Sequence, residues 1–185
     1  MRGLQATVLV LFTLIVGTDM GKPLSGQAPA RDGFFIGFGV GGGSLAFEDE
    51  SDREGSGVGH FKIGGALSDH VLLGAEVGGW TKEMGEGVTV TSSYLNAVAY
   101  LYPAPTGGFF LKGGLGFASS GGEWSLFDGA SFSAAQDGLG FTLGAGYNIG
   151  FGGRFGLTPY ADFHQGFFED GSTRLVSLGL SFNWY

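Results

Sequence analysis

The sequence has 185 residues, a length that suits one domain, and it combines 39 glycines and 18 phenylalanines with a charged fraction of only 14%. The formal net charge of −8 argues against nucleic acid as a partner, and the absence of cysteine excludes disulfides and thiolate metal sites. Globular proteins usually have about 25% charged residues, so little of this surface is expected to meet water. Large apolar residues interleave with the glycines, and the glycine content therefore does not predict disorder.

The first thirty residues have the pattern of a secretory signal peptide. Arg2 gives a positive start, and residues 4–16 form an apolar run that is too short to span a bilayer as a helix. Ala28-Pro29-Ala30 has the small-x-small form of a cleavage site, and cleavage nearer residues 17–21 is the alternative. We therefore expect cleavage between residues 17 and 30, and an exported domain at 31–185.

Eight segments of this domain alternate between large apolar residues and small or polar ones, which predicts β-strands. They span about 34–47, 58–68, 71–82, 88–102, 109–119, 139–149, 155–167 and 174–185. The last segment is the most regular, and its large apolar residues are Val176, Leu178, Leu180, Phe182 and Trp184. Each segment reaches the length of about 9–11 residues that a tilted strand needs to cross the hydrocarbon of a membrane.

The connections between the segments also alternate. Those at 68–70, 103–108 and 150–154 are tight and rich in turn residues. Those at 48–57, 83–87, 120–138 and 169–173 are mostly longer or more polar. Short turns on one side and longer loops on the other are typical of an outer-membrane barrel. Both ends of the domain are then predicted on the periplasmic side, with the acidic loops outside.

The direction of the apolar face separates a membrane barrel from a soluble, lipocalin-like barrel that binds a ligand. An eight-stranded barrel has an interior just wide enough for side chains, and the large apolar face would overfill it. The other face carries too few charges for a soluble exterior. We therefore expect the apolar face outward, toward lipid. We also expect aromatic residues near strand ends to lie at the membrane interface, namely Trp80, Tyr94, Tyr100, Tyr102, Trp124, Tyr160, Trp184 and Tyr185.

The glycine-spaced segments 110–117 (FLKGGLGF) and 141–147 (FTLGAGY), with the aromatic final segment, resemble the small outer-membrane β-barrel family. This group includes the OmpA transmembrane domain and the OmpX-like and OmpW-like proteins, and the likeness covers nearly all of the domain. The resemblance implies an eight-stranded antiparallel up-and-down transmembrane β-barrel in the outer membrane of a Gram-negative cell. It also implies a monomer whose partners are membrane lipid, lipopolysaccharide and the barrel assembly machinery.

The family's assembly signal is a C-terminal strand, which corresponds here to Leu180, Phe182, Trp184 and Tyr185. The family usually ends on an aromatic residue in phase with its apolar face. Here the aromatic residue in phase is Trp184, and Tyr185 is an additional residue. Recognition by the assembly machinery is expected through the in-phase residues.

Four charged residues lie on the predicted inner face: Lys62, Glu76, Lys112 and Asp162. Opposite charges inside a narrow barrel are expected to pair, because an unpaired buried charge is costly. We expect an ion-pair network that plugs the lumen, with a structural or surface-interaction role in adhesion or envelope integrity. A narrow pore for small solutes or ions is the alternative function.

Two loops are candidate extracellular sites. The acidic run with Glu48, Asp49, Glu50 and Asp52 lacks the spacing of a calcium loop, and a solvated loop is preferred over a Ca²⁺ or Mg²⁺ site. The segment 120–138, with Trp124, Phe127 and Phe132, is the best candidate for contact with a partner.

An outer-membrane lipid hydrolase is a further alternative, because His164 precedes Glu169, Asp170 and Ser172 near a predicted loop. The His-x-Ser spacing of such enzymes is absent. We therefore expect no catalytic residue, no metal and no cofactor.

Overall fold

The computed structural model describes residues 31, 33–48, 53–84, 88–125, 131–151 and 153–185. Within these ranges the strands are β1 Phe34–Phe47, β2 Glu54–Ser68, β3 Val71–Glu83, β4 Val88–Leu101, β5 Phe109–Ser125, β6 Ser131–Tyr147, β7 Ile149–Gly150, β8 Phe155–Phe168 and β9 Gly171–Trp184. No helix in the described ranges is long and apolar enough to cross a membrane. The predicted signal peptide lies outside the described residues.

The strands form one closed antiparallel sheet. Each long strand pairs with its neighbours in the chain, and β1 also pairs with β9, where Ile36 lies opposite Trp184. The two residues of β7 continue the line of β6 after Asn148, and β8 pairs with both. Because β6 and β7 share one position in the sheet, the barrel has eight strand positions in up-and-down order. The predicted fold class is confirmed.

The side chains follow the predicted alternation. Large apolar residues face outward, and the relative exposure reaches 72% at Leu115 and 66% at Phe117. In β4, Leu95 points outward, whereas Tyr94 and Asn96 are buried inside. The outer surface of the barrel is thus apolar, and its lumen is polar and aromatic.

The predicted loop at 120–138 is wrong for most of its length. Strand β5 continues to Ser125 and β6 begins at Ser131, so the two form a paired hairpin, in which residues 120–124 of β5 also pair with residues 88–92 of β4. Residues 126–130 lie outside the described residues. The extension was missed because its serines, glycines and alanines show no apolar alternation, although main-chain hydrogen bonds still pair such residues.

Two apolar clusters fill the ends of the lumen. The end with the tight connections at 69–70, 102–108 and 151–154 is called the turn end here, and the opposite end is called the loop end. The turn-end cluster comprises Phe35, Leu72, Val98, Tyr100, Tyr102, Phe110 and Tyr185. The loop-end cluster comprises Leu45, Trp80 and Leu175, with Phe47, Val58 and Val90 packed against it.

The predicted interface position is wrong for most of the aromatic residues. Six of them are buried inside the barrel: Trp80, Tyr94, Tyr100, Tyr102, Tyr160 and Tyr185. Trp184 faces outward, and the side chain of Trp124 lies outside the described set. Glycines on adjacent strands make the room for the rings, since a Cβ atom at Gly78 or Gly179 would meet the phenol of a neighbouring tyrosine.

Candidate functional site

The centre of the lumen contains a buried group of three charged side chains. The Lys112 ammonium lies 2.8 Å and 3.0 Å from the two carboxylate oxygens of Glu76 and 2.8 Å from Oδ2 of Asp162. All three residues are at most 8% exposed. Charge-assisted hydrogen bonds of this length are among the strongest in proteins, and they link β3, β5 and β8 across the barrel.

Hydroxyl groups complete the surroundings of Glu76. Tyr94 donates a hydrogen bond of 3.2 Å to Oε1, and Tyr100 donates one of 2.9 Å to Oε2. Both tyrosines lie on the inward face of β4, which pairs with β3, the strand of Glu76. The Glu76 carboxylate therefore accepts from Lys112 and two phenols, which offsets the cost of removing it from water.

Glycine makes room for the second carboxylate. Gly144 on β6 lies directly opposite Asp162 on β8, and a Cβ atom at Gly144 would collide with the Asp162 carboxylate. The glycine pattern of β6 thus allows the acidic side chain to lie flat against the wall and reach Lys112.

Lys62 is buried in the same lumen but lies apart from this group. It is opposite Glu76 in the pairing of β2 with β3, yet it forms no salt bridge with any described residue. Its ammonium lies 5.4 Å from the centre of the Tyr100 ring, on the side of the turn-end cluster. Of the four charges predicted to form one network, the structure brings three into direct contact.

The histidines lie in the lumen or at a turn. Donor atoms of His60, Glu76 and Asp162 are within 4.8 Å of one another, a spacing near that of a metal site. Both carboxylates already bind the Lys112 ammonium, so the charge that a cation would supply is present in the protein. Nε2 of His60 is buried without a partner among the described residues.

His164 does not lie at the loop-end rim. Its Nδ1 is 3.0 Å from the Thr142 hydroxyl, and its ring stacks on Tyr94 with the centroids 4.5 Å apart. Thr142 and His164 are only 1% and 3% exposed. The Thr142 hydroxyl and the His164 imidazole are therefore inaccessible to a lipid substrate.

A hydrogen-bond network closes the turn end. The Asn148 amide donates to the hydroxyls of Tyr102, at 2.9 Å, and of Tyr185, while its carbonyl accepts from Thr158 and Asn183. The Arg31 guanidinium lies 3.7 Å from the centre of the Tyr102 ring. The alternation predicts that Asn148 faces inward, but no local sequence signal marks it as the centre of a network.

The acidic and aromatic loop candidates are only partly described. Glu48 is exposed at the loop end, whereas Asp49, Glu50, Asp52 and Phe127 lie outside the described residues. The backbone of Trp124 pairs with Val88 and Phe132. Among described residues of this rim, Lys82 pairs with Glu54, and Arg53 donates to Ser44.

The residues of the predicted assembly signal divide between two faces. Leu180, Phe182 and Trp184 point outward from β9, with relative exposures between 36% and 49%. Tyr185 follows the strand and turns into the lumen, where it is 4% exposed. The in-phase residues and the additional tyrosine therefore have different surroundings.

No protein-family model and no curated protein matches the sequence. Several solved structures share the fold. Ail, the attachment invasion locus protein of Yersinia pestis, aligns with a TM-score of 0.63 and 14% identity over 83% of this chain and 99% of Ail. Neisserial surface protein A aligns with a TM-score of 0.62 and 12% identity over 83% of this chain and 97% of that protein. The N-terminal β-barrel domain of Pseudomonas aeruginosa OprF aligns with a TM-score of 0.52 and 17% identity over 83% of this chain and 98% of that domain.

At these identities the comparisons establish the fold and leave the biochemical role to the residues of this chain. The resemblance to the small outer-membrane barrels that the sequence pattern predicts is confirmed at the level of the fold.

Proposed function

We propose that this protein is an outer-membrane barrel with a sealed lumen that acts through its loop end, in a structural or surface-interaction role. The observation that carries this proposal is the buried group of Lys112, Glu76 and Asp162, which lies between two apolar clusters. Among the residues that the structure describes, a lumen filled in this way leaves neither a reaction site open to substrate nor a wide aqueous path.

The outward face supports a membrane location. Exposed phenylalanine and leucine side chains cover the outside of the barrel strands, and closure of the antiparallel sheet pairs each long strand with a neighbour on both sides over most of its length. In water, an apolar surface of this extent would cause aggregation. The solved structures that share the fold include the outer membrane protein Ail, and we propose the same membrane for this chain, with its loop end outside the cell.

The hairpin of β5 and β6 supports a role in surface interaction. The β8 pairing of β6 begins at Leu139, so residues 131–138 pair with β5 on one side and with no described strand on the other. Residues 133–137 are exposed. An unpaired strand edge is a template for an extended segment of another protein, which can add to it through main-chain hydrogen bonds.

The charge of the loops indicates the kind of partner. The segments predicted to lie at the loop end, 48–57, 83–87, 120–138 and 169–173, contain twelve acidic residues and one basic residue, Arg53. Ail has been solved in complex with the heparin analogue sucrose octasulfate, a polyanion. An acidic rim repels polyanions, and we therefore propose a partner with a basic, extended segment.

The location is tested by fractionation of the cell envelope and by electrophoresis of the refolded barrel with and without boiling. We expect the protein in the outer membrane and a mobility that changes on boiling. A periplasmic protein with no change in mobility would contradict the proposed location.

The surface role is tested by shortening the hairpin. Residues 121–124 pair with 132–135 of β6 and with 88–91 of β4. Deleting 121–124 and 132–135 removes an even number from each strand, which preserves the facing of the others and leaves 88–91 without their β5 partners. We expect the shortened protein to keep its heat-dependent mobility while cells that display it adhere less to host-cell or matrix proteins. Unchanged adhesion would exclude the hairpin as the contact surface.

A further inference from the structure

Tyr185 fills a space inside the turn end without being part of the sheet. The last paired residue of β9 is Trp184, which lies opposite both Ile36 and Phe155. Tyr185 turns inward, and the centroid of its ring lies 6.2 Å from the centroid of the Phe35 ring. Its main chain donates one hydrogen bond of 2.9 Å, to the carbonyl of Arg154. Tyr185 can therefore leave this space without unpairing a strand.

Lys62 lies at the same space. It lines one narrow crevice with Phe35, Leu72, Tyr100, Tyr102 and Tyr185, and the crevice has no room for a water molecule while Tyr185 is in place. Lys62 is 5% exposed, and its ammonium has no hydrogen-bond or salt-bridge partner among the described residues. Glu76, which lies opposite Lys62 on the neighbouring strand, is bound by Lys112.

We propose that this space is a binding site for a small aromatic carboxylate, and that Tyr185 is its intramolecular occupant. The walls accept a ring, since Phe35 and Tyr100 already meet edge to face with their centroids 5.8 Å apart. The Lys62 ammonium supplies the charge that a carboxylate needs, and a buried ammonium gains most from an anion. Asn148 supplies a donor for a ring hydroxyl.

The site is sized for one ring, because one phenol fills it. A ligand must displace Tyr185 in the native barrel, so its apparent affinity is reduced by the fraction of molecules in which Tyr185 has left. The inference requires only that the barrel folds, and it does not depend on a partner at the loop end.

The test uses Tyr185→Ala in detergent micelles, with Trp184→Ala as the matched control. The probes are p-cresol, which is the tyrosine side chain as a free molecule, and benzoate. We expect both compounds to raise the temperature at which Tyr185→Ala loses its heat-dependent mobility, and neither to do so for Trp184→Ala. Adding Lys62→Met to Tyr185→Ala should lower the affinity for benzoate by about tenfold or more and leave that for p-cresol unchanged.

A folded Tyr185→Ala barrel that responds to neither compound would overturn the proposal, as would benzoate binding that is independent of Lys62. If Tyr185→Ala does not fold, Tyr185→Val replaces it in the same thermal test, with and without Lys62→Met. Stabilisation by benzoate that requires Lys62 supports the site, and no stabilisation contradicts it. A protein that folds as a barrel but fails these tests leaves the proposed function intact.

Discussion

The centre of the lumen and its turn end are both closed to solvent, but they are organised by different interactions. At the centre, Lys112 pairs with two carboxylates, and the hydroxyls of Tyr94 and Tyr100 donate to the carboxylate of Glu76. At the turn end, aromatic rings packed edge to face or at an angle fill the volume around the amide of Asn148. Two cations face these rings, Arg31 over Tyr102 and Lys62 near Tyr100, and Lys62 has no described counter-ion in contact. The centre is specified by charge and the turn end by shape, so substitutions in the two regions should differ in kind.

The largest effect is expected at Lys112. The change Lys112→Met leaves two buried carboxylates without their cation, and the loss of one partner of a buried pair costs about 3–5 kcal/mol. The free energy of unfolding in urea, followed by intrinsic fluorescence of the refolded barrel, measures this loss.

Lys62→Met is the matched control, because it removes the other buried lysine, which forms no described salt bridge. A clearly smaller loss is expected. Equal losses for the two variants would remove the distinction between the two regions.

A smaller effect is expected at Gly144. The change Gly144→Ala places a methyl group against the Asp162 carboxylate and displaces it from Lys112, and overpacking of this kind costs about 1–3 kcal/mol. Gly113→Ala adds the same methyl on β5 where nothing lies within 4 Å, and no loss is expected. The same urea titration compares them, and equal stabilities would show that Asp162 has room to move.

The tryptophans provide a spectroscopic comparison of inside and outside. Trp80 is fully buried in the loop-end cluster, whereas Trp184 is 36% exposed on the outer face. In vesicles of brominated lipid we expect quenching of the variant that retains only Trp184, and weak quenching of the variant that retains only Trp80. Equal quenching would place Trp80 at the lipid interface and contradict its position in the lumen.

The smallest effect is expected from polyanions at the loop end. Because acidic residues are in excess in the segments predicted to lie at the loop end, we expect that the refolded barrel passes through a heparin column at low salt and is retained on an anion exchanger. Retention on heparin would show that Arg53, Lys82 and Arg174 dominate the rim despite that excess.

The sequence pattern predicts the strands and their facing because a barrel wall between lipid and a narrow lumen imposes a strict period of two. It places Lys62, Glu76, Lys112 and Asp162 inside. It does not show which lysine pairs with the carboxylates, because that pairing depends on the relative stagger of strands that are far apart in the chain. Lys112 and Asp162 are fifty residues apart and meet only through closure of the barrel.

Two features lie outside the reach of the pattern. The aromatic residues near strand ends were expected at the interface, but Tyr94 and Tyr160 turn inward because glycines on the next strands leave space for their rings. The paired residues of the hairpin beyond Ser119 are mostly serine, glycine and alanine, and they carry no apolar alternation to reveal a strand. The first error concerns the space beside a side chain and the second the pairing of a strand, and a pattern of apolar residues along the chain reports neither.

Planar-bilayer recording of the refolded barrel, after its heat-dependent mobility has been verified, tests the sealed lumen most directly. With Lys112 bound to both carboxylates and apolar clusters at both ends, we predict no current steps above those of the lipid alone. Stable, reproducible single-channel steps from the wild-type barrel would contradict the sealed lumen and favour the narrow pore.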